Sequence, residues 1–386
     1  MNGGVGDVRG EDWTEEEGVN GGNDVWSSSR PADHLVVMVH GILGSATDWK
    51  FAAQQFVAML PDKVIVHYHS FLLCLTAGSE SNMYKLTLDG VDIMGERLAE
   101  EIIEVVNKRL YLRKISFIAH SIGGLVARYA IGRLYRPLIM KSLENPTCDA
   151  CDDSHRGTIY GLEAVNFITV ATPHLGSRGN KQVPFLFGVT AIEKVASLVI
   201  HWIFRRTGKH LFLTDDDEGK PPLLQQMVDD CDDLQFMSAL QTFKRRVAYS
   251  NVGYDRILLL LSCFPQLNEI EDVVGWRTSS IRRSSQLPKW EDSLSAKYPH
   301  VVYEEYSAGS RYDKCTDDSL IHGDCDLLEE MLVTGLARLS WEKVDVSFHN
   351  SSIHRFAAHS VIQVKDPFMH IEGADVVQHM IDHFLT

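Results

Sequence analysis

The sequence has no apolar run long enough to cross a bilayer. Its longest candidates, Ile257 to Pro265 and Val195 to Phe204, fall well short of the roughly 20 residues a spanning helix needs. It also lacks a surplus of basic residues: 37 Lys and Arg stand against 52 Asp and Glu, for a formal charge of -15. The densest basic stretches are Arg205-Arg206, Lys244-Arg245-Arg246 and Arg282-Arg283. Nucleic-acid backbones are bound by clustered cations, so no nucleic-acid partner is expected. Residues 1–33 lack both the positively charged start and the apolar stretch of a secretory signal. Their Gly, Asp, Glu and Ser content predicts a disordered acidic tail on a cytoplasmic chain. The 7 cysteines are scattered, and the one CxxC pair, Cys148 and Cys151, has no second pair to complete a zinc site. Reduced thiols and a surface loop are the expectation. No internal repeat is present, and 45% hydrophobic with 23% charged residues describes a globular chain with a sizeable core.

What is present is an alternation of apolar strands and amphipathic helices. Leu35 to Val39 reads as a buried strand ending in the turn His40-Gly41-Ile42-Leu43-Gly44, and a helix follows with Phe51, Phe56, Val57 and Leu60 on one face until Pro61. Lys63 to His67 forms the next strand. Val91, Met94, Leu98, Ile102 and Val105 then recur at steps of three and four, which predicts a long helix. Ile115 to Ala119 and Val165 to Val170 are further strands, joined later by Val247 to Val252 and Val361 to Val364, and Ala374 to Leu385 closes the chain as a helix. This order predicts one α/β domain over residues 34–386, its mostly parallel sheet covered by helices on both faces. Segments 177–240 and 276–357 read as insertions, the first a lid or cap.

The chemistry centres on Ala119-His120-Ser121-Ile122-Gly123-Gly124, placed between a strand and a helix. A nucleophile elbow needs small residues two before and two after the serine, since the sharp turn presses backbone against backbone and exposes Oγ. Ala119 fills the first small position. A serine at a helix start is, taken alone, an ordinary N-cap, and the strand-turn-helix context is what favours a nucleophile. Donors for an oxyanion are expected from the backbone N–H of Ile122 and from Ile42 or Leu43 in the turn after the first strand. In this chain order the acid precedes the histidine. His370, between Val361–Val364 and the closing helix, is the expected general base. His174 precedes every plausible acid and reads as structural, and His359, His379 and His383 read as packing or solvent-facing. Asp255, just after the Val247–Val252 strand, is the expected acid, with Asp272 as the alternative.

Together these segments resemble the plant branch of the DUF676 serine esterases, a lipase-like group of α/β hydrolases. The likeness is carried by Val39-His40-Gly41-Ile42-Leu43-Gly44-Ser45 with Asp48-Trp49 and by Phe117 to Tyr129. Ala171-Thr172-Pro173-His174-Leu175-Gly176-Ser177, Phe212 to Asp215, Val274 to Ser280 and Met369 to Phe384 extend it. The resemblance implies an α/β-hydrolase fold, ester or lipid hydrolysis with no metal or organic cofactor, and a triad of Ser121, Asp255 and His370. Tyr68 to Gly78 and Ile257 to Asp272 stand outside the family pattern and read as retained intron or alternatively spliced sequence, the second beside the expected acid.

Within 183–204, Ile192, Val195, Val199 and Ile203 fall at helical spacing with Trp202 beside them and Arg205-Arg206 following. That pattern fits a cap helix packed on the core, or a lid in peripheral contact with a membrane. The expected substrate is a small-molecule or lipid ester. The same triad serves an acyltransferase, and a catalytically silent scaffold retaining the fold is the alternative from another class.

Overall fold

Six consecutive buried positions, His34–Val39, make strand β2 an interior strand, covered on both faces. The computed structural model describes residues 24–25, 32–42, 44–68, 87–138, 157–176, 204–216, 219–231, 233–253, 275–283, 295–307, 326–349 and 357–386. In chain order the strands are β1 (Asp24–Val25), β2, β3 (Val64–Tyr68), β4 (Lys114–His120), β5 (Tyr135–Arg136), β6 (Thr158–Ile159), β7 (Glu163–Val170), β8 (Arg245–Asn251), β9 (Val301–Ser307) and β10 (Trp341–Val346). One eight-stranded sheet runs in the order β1-β3-β2-β4-β7-β8-β10-β9, while β5 and β6 pair separately. The six inner strands are parallel, and β1 and β9 close the two edges antiparallel.

Side chains alternate across these strands, so each face gathers its own core. Leu35, Val37, Phe117 and Phe167 pack with helices α2 (Val91–Lys108), α3 (Ile122–Leu134) and α4 (Phe236–Thr242). Val36, Met38, Ile118, Ile168 and Tyr249 pack on the other face with Phe56 of α1 (Lys50–Met59) and with Val376, Val377 and Met380 near the end of the chain. Parallel strands covered on both faces, with the strand-turn-helix at β4 and α3, make this an α/β-hydrolase fold. Among the described residues no helix is long and apolar enough to cross a membrane.

Three expectations change. Segment 276–357 is no mere insertion: it supplies β9, β10 and the helix α5 (Asp326–Ala337). Val361–Val364 is not a strand, because β9 already fills the sheet edge beside β10. The chain there forms the short helix α6 (Ala358–Val361) and a turn with Val364 at φ 55°, and its apolar residues pack beneath the closing helix α7 (Ala374–Asp382). Within the expected tail, Asp24–Val25 adds a short edge strand to β3. Of the expected lid or cap segment, residues 204–216, 219–231 and 233–240 lie within the described residues, and 204–211 are helical. The Tyr68–Gly78 addition, apart from Tyr68 in β3, and the whole of Ile257–Asp272 fall outside them, as do Cys148 and Cys151.

A buried polar node closes the N-terminal end of the sheet. Asn166 Nδ2 donates to Ser116 Oγ (2.9 Å) and to Leu385 O (2.8 Å), while Leu385 N–H donates to Asn166 Oδ1 (3.2 Å). The Asn166 backbone N–H also donates to Ser116 Oγ, whose hydroxyl sits 2.8 Å from His34 Nε2. One side chain thus ties β4, β7 and the end of the chain. We expect Asn166→Ala to lower the unfolding free energy by about 2–4 kcal/mol, since it orphans buried partners. Urea titration measures this, and a loss below about 0.5 kcal/mol would show that the node is dispensable.

Candidate active site

Strand β4 delivers Ser121 into a backbone conformation that side-chain-bearing residues avoid, with φ 55° and ψ -132°. A conformation of this kind costs on the order of 1–3 kcal/mol and persists only where the surroundings impose it. Here the chain reverses from β4 into α3 through this one residue. Ser121 N–H donates to Val170 O at the end of β7 (2.8 Å), and Gly124 N–H donates to Ser121 O (3.1 Å), which fixes both sides of the turn. This is the strand-turn-helix backbone geometry of an elbow, with Ser121 at its sharp turn.

Two glycines let the neighbouring backbone close on it. A Cβ on Gly123 would lie 2.5 Å from His40 O and 2.8 Å from Val39 O, so α3 starts against the end of β2 only because that side chain is absent. From the other side, a Cβ on Gly41 would lie 2.9 Å from Ser121 Cβ. The turn after β2 therefore rests on the serine.

Of the expected oxyanion donors, Ile122 and Ile42 lie within the described residues. Ile122 opens α3, so its backbone N–H has no acceptor within the helix and sits at the positive end of the helix dipole. Gly41 O accepts from Gly44 N–H (3.2 Å) and from His40 Nδ1–H (2.9 Å). In a trans peptide the following N–H points opposite to the carbonyl, so these two bonds aim the Ile42 N–H away from the His40 ring. Leu43 and Asp255 lie outside the described residues, and so does the alternative acid Asp272.

The histidines divide by what their rings do. The Asp366 backbone N–H donates to His370 Nδ1 (3.1 Å). A backbone N–H can only donate, so the His370 Nδ1 must be the bare nitrogen and the proton of the neutral ring is on Nε2. A triad base needs the reverse, with Nδ1–H donating to the acid and Nε2 open to the serine. This contact on Nδ1 differs from the one a triad base makes with its acid. His359, on α6, lies against the elbow instead: its ring is 4.5 Å from the His120 ring, and its carbonyl accepts His120 Nε2–H at 2.7 Å.

The rings of His174, His379 and His383 make packing and hydrogen-bond contacts away from Ser121. His174 is fully buried, shares a hydrogen bond with Thr169 Oγ1 (3.0 Å) and packs edge-on to Trp341. His379 bridges Tyr249 Oη (2.9 Å) and Glu304 (3.2 Å), and its hydrogen bond holds the Glu304 carboxyl below the usual carboxylate range. His383 bonds back to the His379 carbonyl.

Beyond the elbow, Asp366 Oδ1 accepts the N–H of both Phe368 and Met369 and so displays these residues on a rigid turn. Phe368 is 96% exposed, with Met369 and Ile371 exposed beside it. Arg205 and Arg206, expected at the end of a lid, line a separate cavity of about 1200 Å³ with Asp92, Tyr129, His210 and Phe236.

With this geometry in view, the likenesses to known proteins fall into place. Residues 29–265 match the family described as "Putative serine esterase (DUF676)". The chain belongs to that family. This DUF676 member is 30% identical over 266 residues to "Putative lipase ROG1" of Saccharomyces cerevisiae, an overlap of 67% of this chain and 32% of that one. It is 26% identical over 275 residues to "Putative lipase YDL109C" of the same yeast, covering 67% and 35%. The chain thus spans about a third of the length of the curated relatives it matches. Among solved structures, the mature Bacillus licheniformis lipase BlEst2 overlays with a TM-score of 0.33 at 16% identity, covering 59% of this chain and 71% of that one.

Burial leaves an electrostatic signature on the imidazoles of this DUF676 fold. It lowers the His34 pKa from 6.5 to about 3, and Lys114 adds to the effect. Burial likewise holds His120 and His174 well below the ordinary histidine value. Below about pH 6.5 the unfolded imidazoles bind protons that the folded ones refuse, so stability falls as pH falls through this window, by about 1.4 kcal/mol per pH unit for each group. Urea unfolding between pH 7.5 and pH 4.5 is expected to show this decline, and a flat profile would contradict it.

Proposed function

We propose that this chain hydrolyses carboxylic esters of apolar acids, acyl lipids among them, through an acyl-enzyme formed on Ser121. The observation that carries the reading is the strained turn at Ser121, with Gly41 pressed on its Cβ and the Ile122 N–H opening α3 beside it. A strained serine at a helix start, where backbone N–H groups have no acceptor within the helix, has little structural purpose and a clear catalytic one.

In this reading His359 is the general base and Asp255, on the segment that follows β8, holds its tautomer. The base removes the Ser121 hydroxyl proton as Oγ attacks the ester carbonyl. The carbonyl oxygen takes up the negative charge and is stabilised by the N–H groups of Ile122 and Ile42, with Leu43 as the alternative in the turn. Collapse expels the alcohol, which leaves with the proton held on His359. Water, deprotonated by the same ring, then releases the acid and restores Ser121.

Support for an apolar substrate comes from Phe368, Met369 and Ile371, exposed on the segment that also carries α6. Exposed apolar residues on a rigid turn favour contact with a lipid phase. The relatives' printed names point the same way. The likeness to the plant branch rests on the sequence motifs alone.

The test is ester turnover by the purified full chain over p-nitrophenyl esters of graded acyl length. Ser121→Ala and His359→Ala are expected to lower kcat by roughly a thousandfold or more, while His370→Ala stays within about threefold of wild type. Loss of activity in His370→Ala with retention in His359→Ala would reverse the assignment of the base. The double substitution Phe368→Ser with Met369→Ser is expected to raise KM on long-chain emulsified esters and leave short soluble esters unaffected. An equal effect on both would remove the lipid-surface argument.

A further inference from the structure

The turn after β2 is backed by a buried acid. Asp48 is 6% exposed and lies just beyond the turn that carries Ile42. Three groups converge on the space where a Gly44 side chain would begin: a Cβ there would be 2.7 Å from Asp48 Oδ2, 2.9 Å from Gly41 O and 3.1 Å from His40 Nδ1. The carboxylate therefore sits directly behind the hydrogen bonds that aim the Ile42 N–H. Ser45 Oγ donates to its other oxygen at 3.4 Å.

A negative charge in that place opposes the chemistry proposed for Ser121. Two like charges in a partly desolvated site repel by kilocalories rather than tenths, and the oxyanion would form on the far side of the same turn. Lys365 meets this charge, its Nζ 3.1 Å from Asp48 Oδ2. The lysine is also anchored to the other half of the site. Its backbone N–H donates to Ser360 O, next to His359, and His359 O in turn accepts His120 Nε2–H beside Ser121. A chain of contacts thus runs from Asp48 through Lys365 and the α6 turn to His120, the neighbour of Ser121.

We propose that Asp48 and Lys365 are positioning residues for the reaction. Lys365 cancels the field that a bare Asp48 carboxylate would place behind the developing oxyanion, and that compensation of charge is the pair's role. This rests on the hydrolase reading given above. The pair serves the transition state more than the bound substrate, because only the former carries the new charge.

Steady-state hydrolysis of a short p-nitrophenyl ester by the full chain tests it, with thermal unfolding run on every variant. Lys365→Met, which strands the carboxylate, is expected to lower kcat by about tenfold or more with KM changed less than about twofold. Lys365→Arg keeps the charge and is expected to restore most of kcat. Adding Asp48→Asn to Lys365→Met removes the stranded charge and is expected to recover kcat to within about threefold of wild type, a non-additivity that a merely structural lysine would not produce. Unchanged kcat in folded Lys365→Met, a change confined to KM, or no recovery in the double variant would overturn the proposal while leaving wild-type turnover in place. If Lys365→Met does not fold, the folded double variant alone decides: near-wild-type kcat supports the charge argument, and deep loss refutes it. Wild-type protein without ester turnover would overturn the hydrolase reading and this proposal together.

Discussion

The reversal of the chain at Ser121 constrains more of this molecule than any other single feature. A serine at φ 55° holds only while Val170 O, at the end of the neighbouring strand β7, receives its N–H. That bond requires β4 and β7 to be adjacent and in register at their C-terminal ends, which the pairing His120 to Val170 provides. The same reversal brings α3 back so sharply that Gly123 meets the His40 carbonyl, and it directs the His120 ring into the interior. Burial keeps that imidazole neutral, and its Nε2–H is then available to fix the α6 turn through His359 O. Local strain, strand register, a helix start and the placing of a second histidine are consequences of one turn.

The two ends of the sheet divide the labour between stability and chemistry. At the N-terminal end of the strands, Ser116, Asn166 and Leu385 form a closed set of hydrogen bonds, with Phe384 stacked 5.4 Å from His34 and edge-on to Phe56. At the C-terminal end lie the strained turn at Ser121, the start of α3 at Ile122 and the turn after β2. Such an end is less stable by construction, since a strained turn persists only where its surroundings impose it. The buried side chains of β2, β4 and β7 carry that cost.

Much of this was legible in the residues. Apolar runs such as Leu35 to Val39 and Val165 to Val170 identified interior parallel strands because nothing but burial on both faces explains them. Ala119 to Gly124 revealed the elbow because small residues flank the serine where backbones must touch. The later part of the chain was harder to read. Trp341–Val346 carries Glu342, Lys343 and Asp345, so its pattern hid an inner strand whose charged residues are met by Arg245 and Arg282 from elsewhere. With β10 unrecognised, the apolar stretch Val361–Val364 took its place as the last strand, and His370 became the histidine after it. With β10 in position, Val361–Val364 packs beneath the closing helix instead of forming a strand. The hydrogen bond that fixes the His370 tautomer depends on a four-residue turn that no sequence pattern announces. The Asp48–Lys365 pair joins residues more than 300 positions apart in the chain, and only the fold brings them together.

Everything said of catalysis depends on Ser121 Oγ being a nucleophile in the folded chain. The most direct measurement is reaction of the purified protein with a fluorophosphonate, followed by peptide mass spectrometry to locate the adduct. The account predicts a stoichiometric phosphonyl adduct on the peptide containing Ser121, formed by folded protein and lost on denaturation. Folded protein that takes no label, or that carries it on another residue, would contradict it.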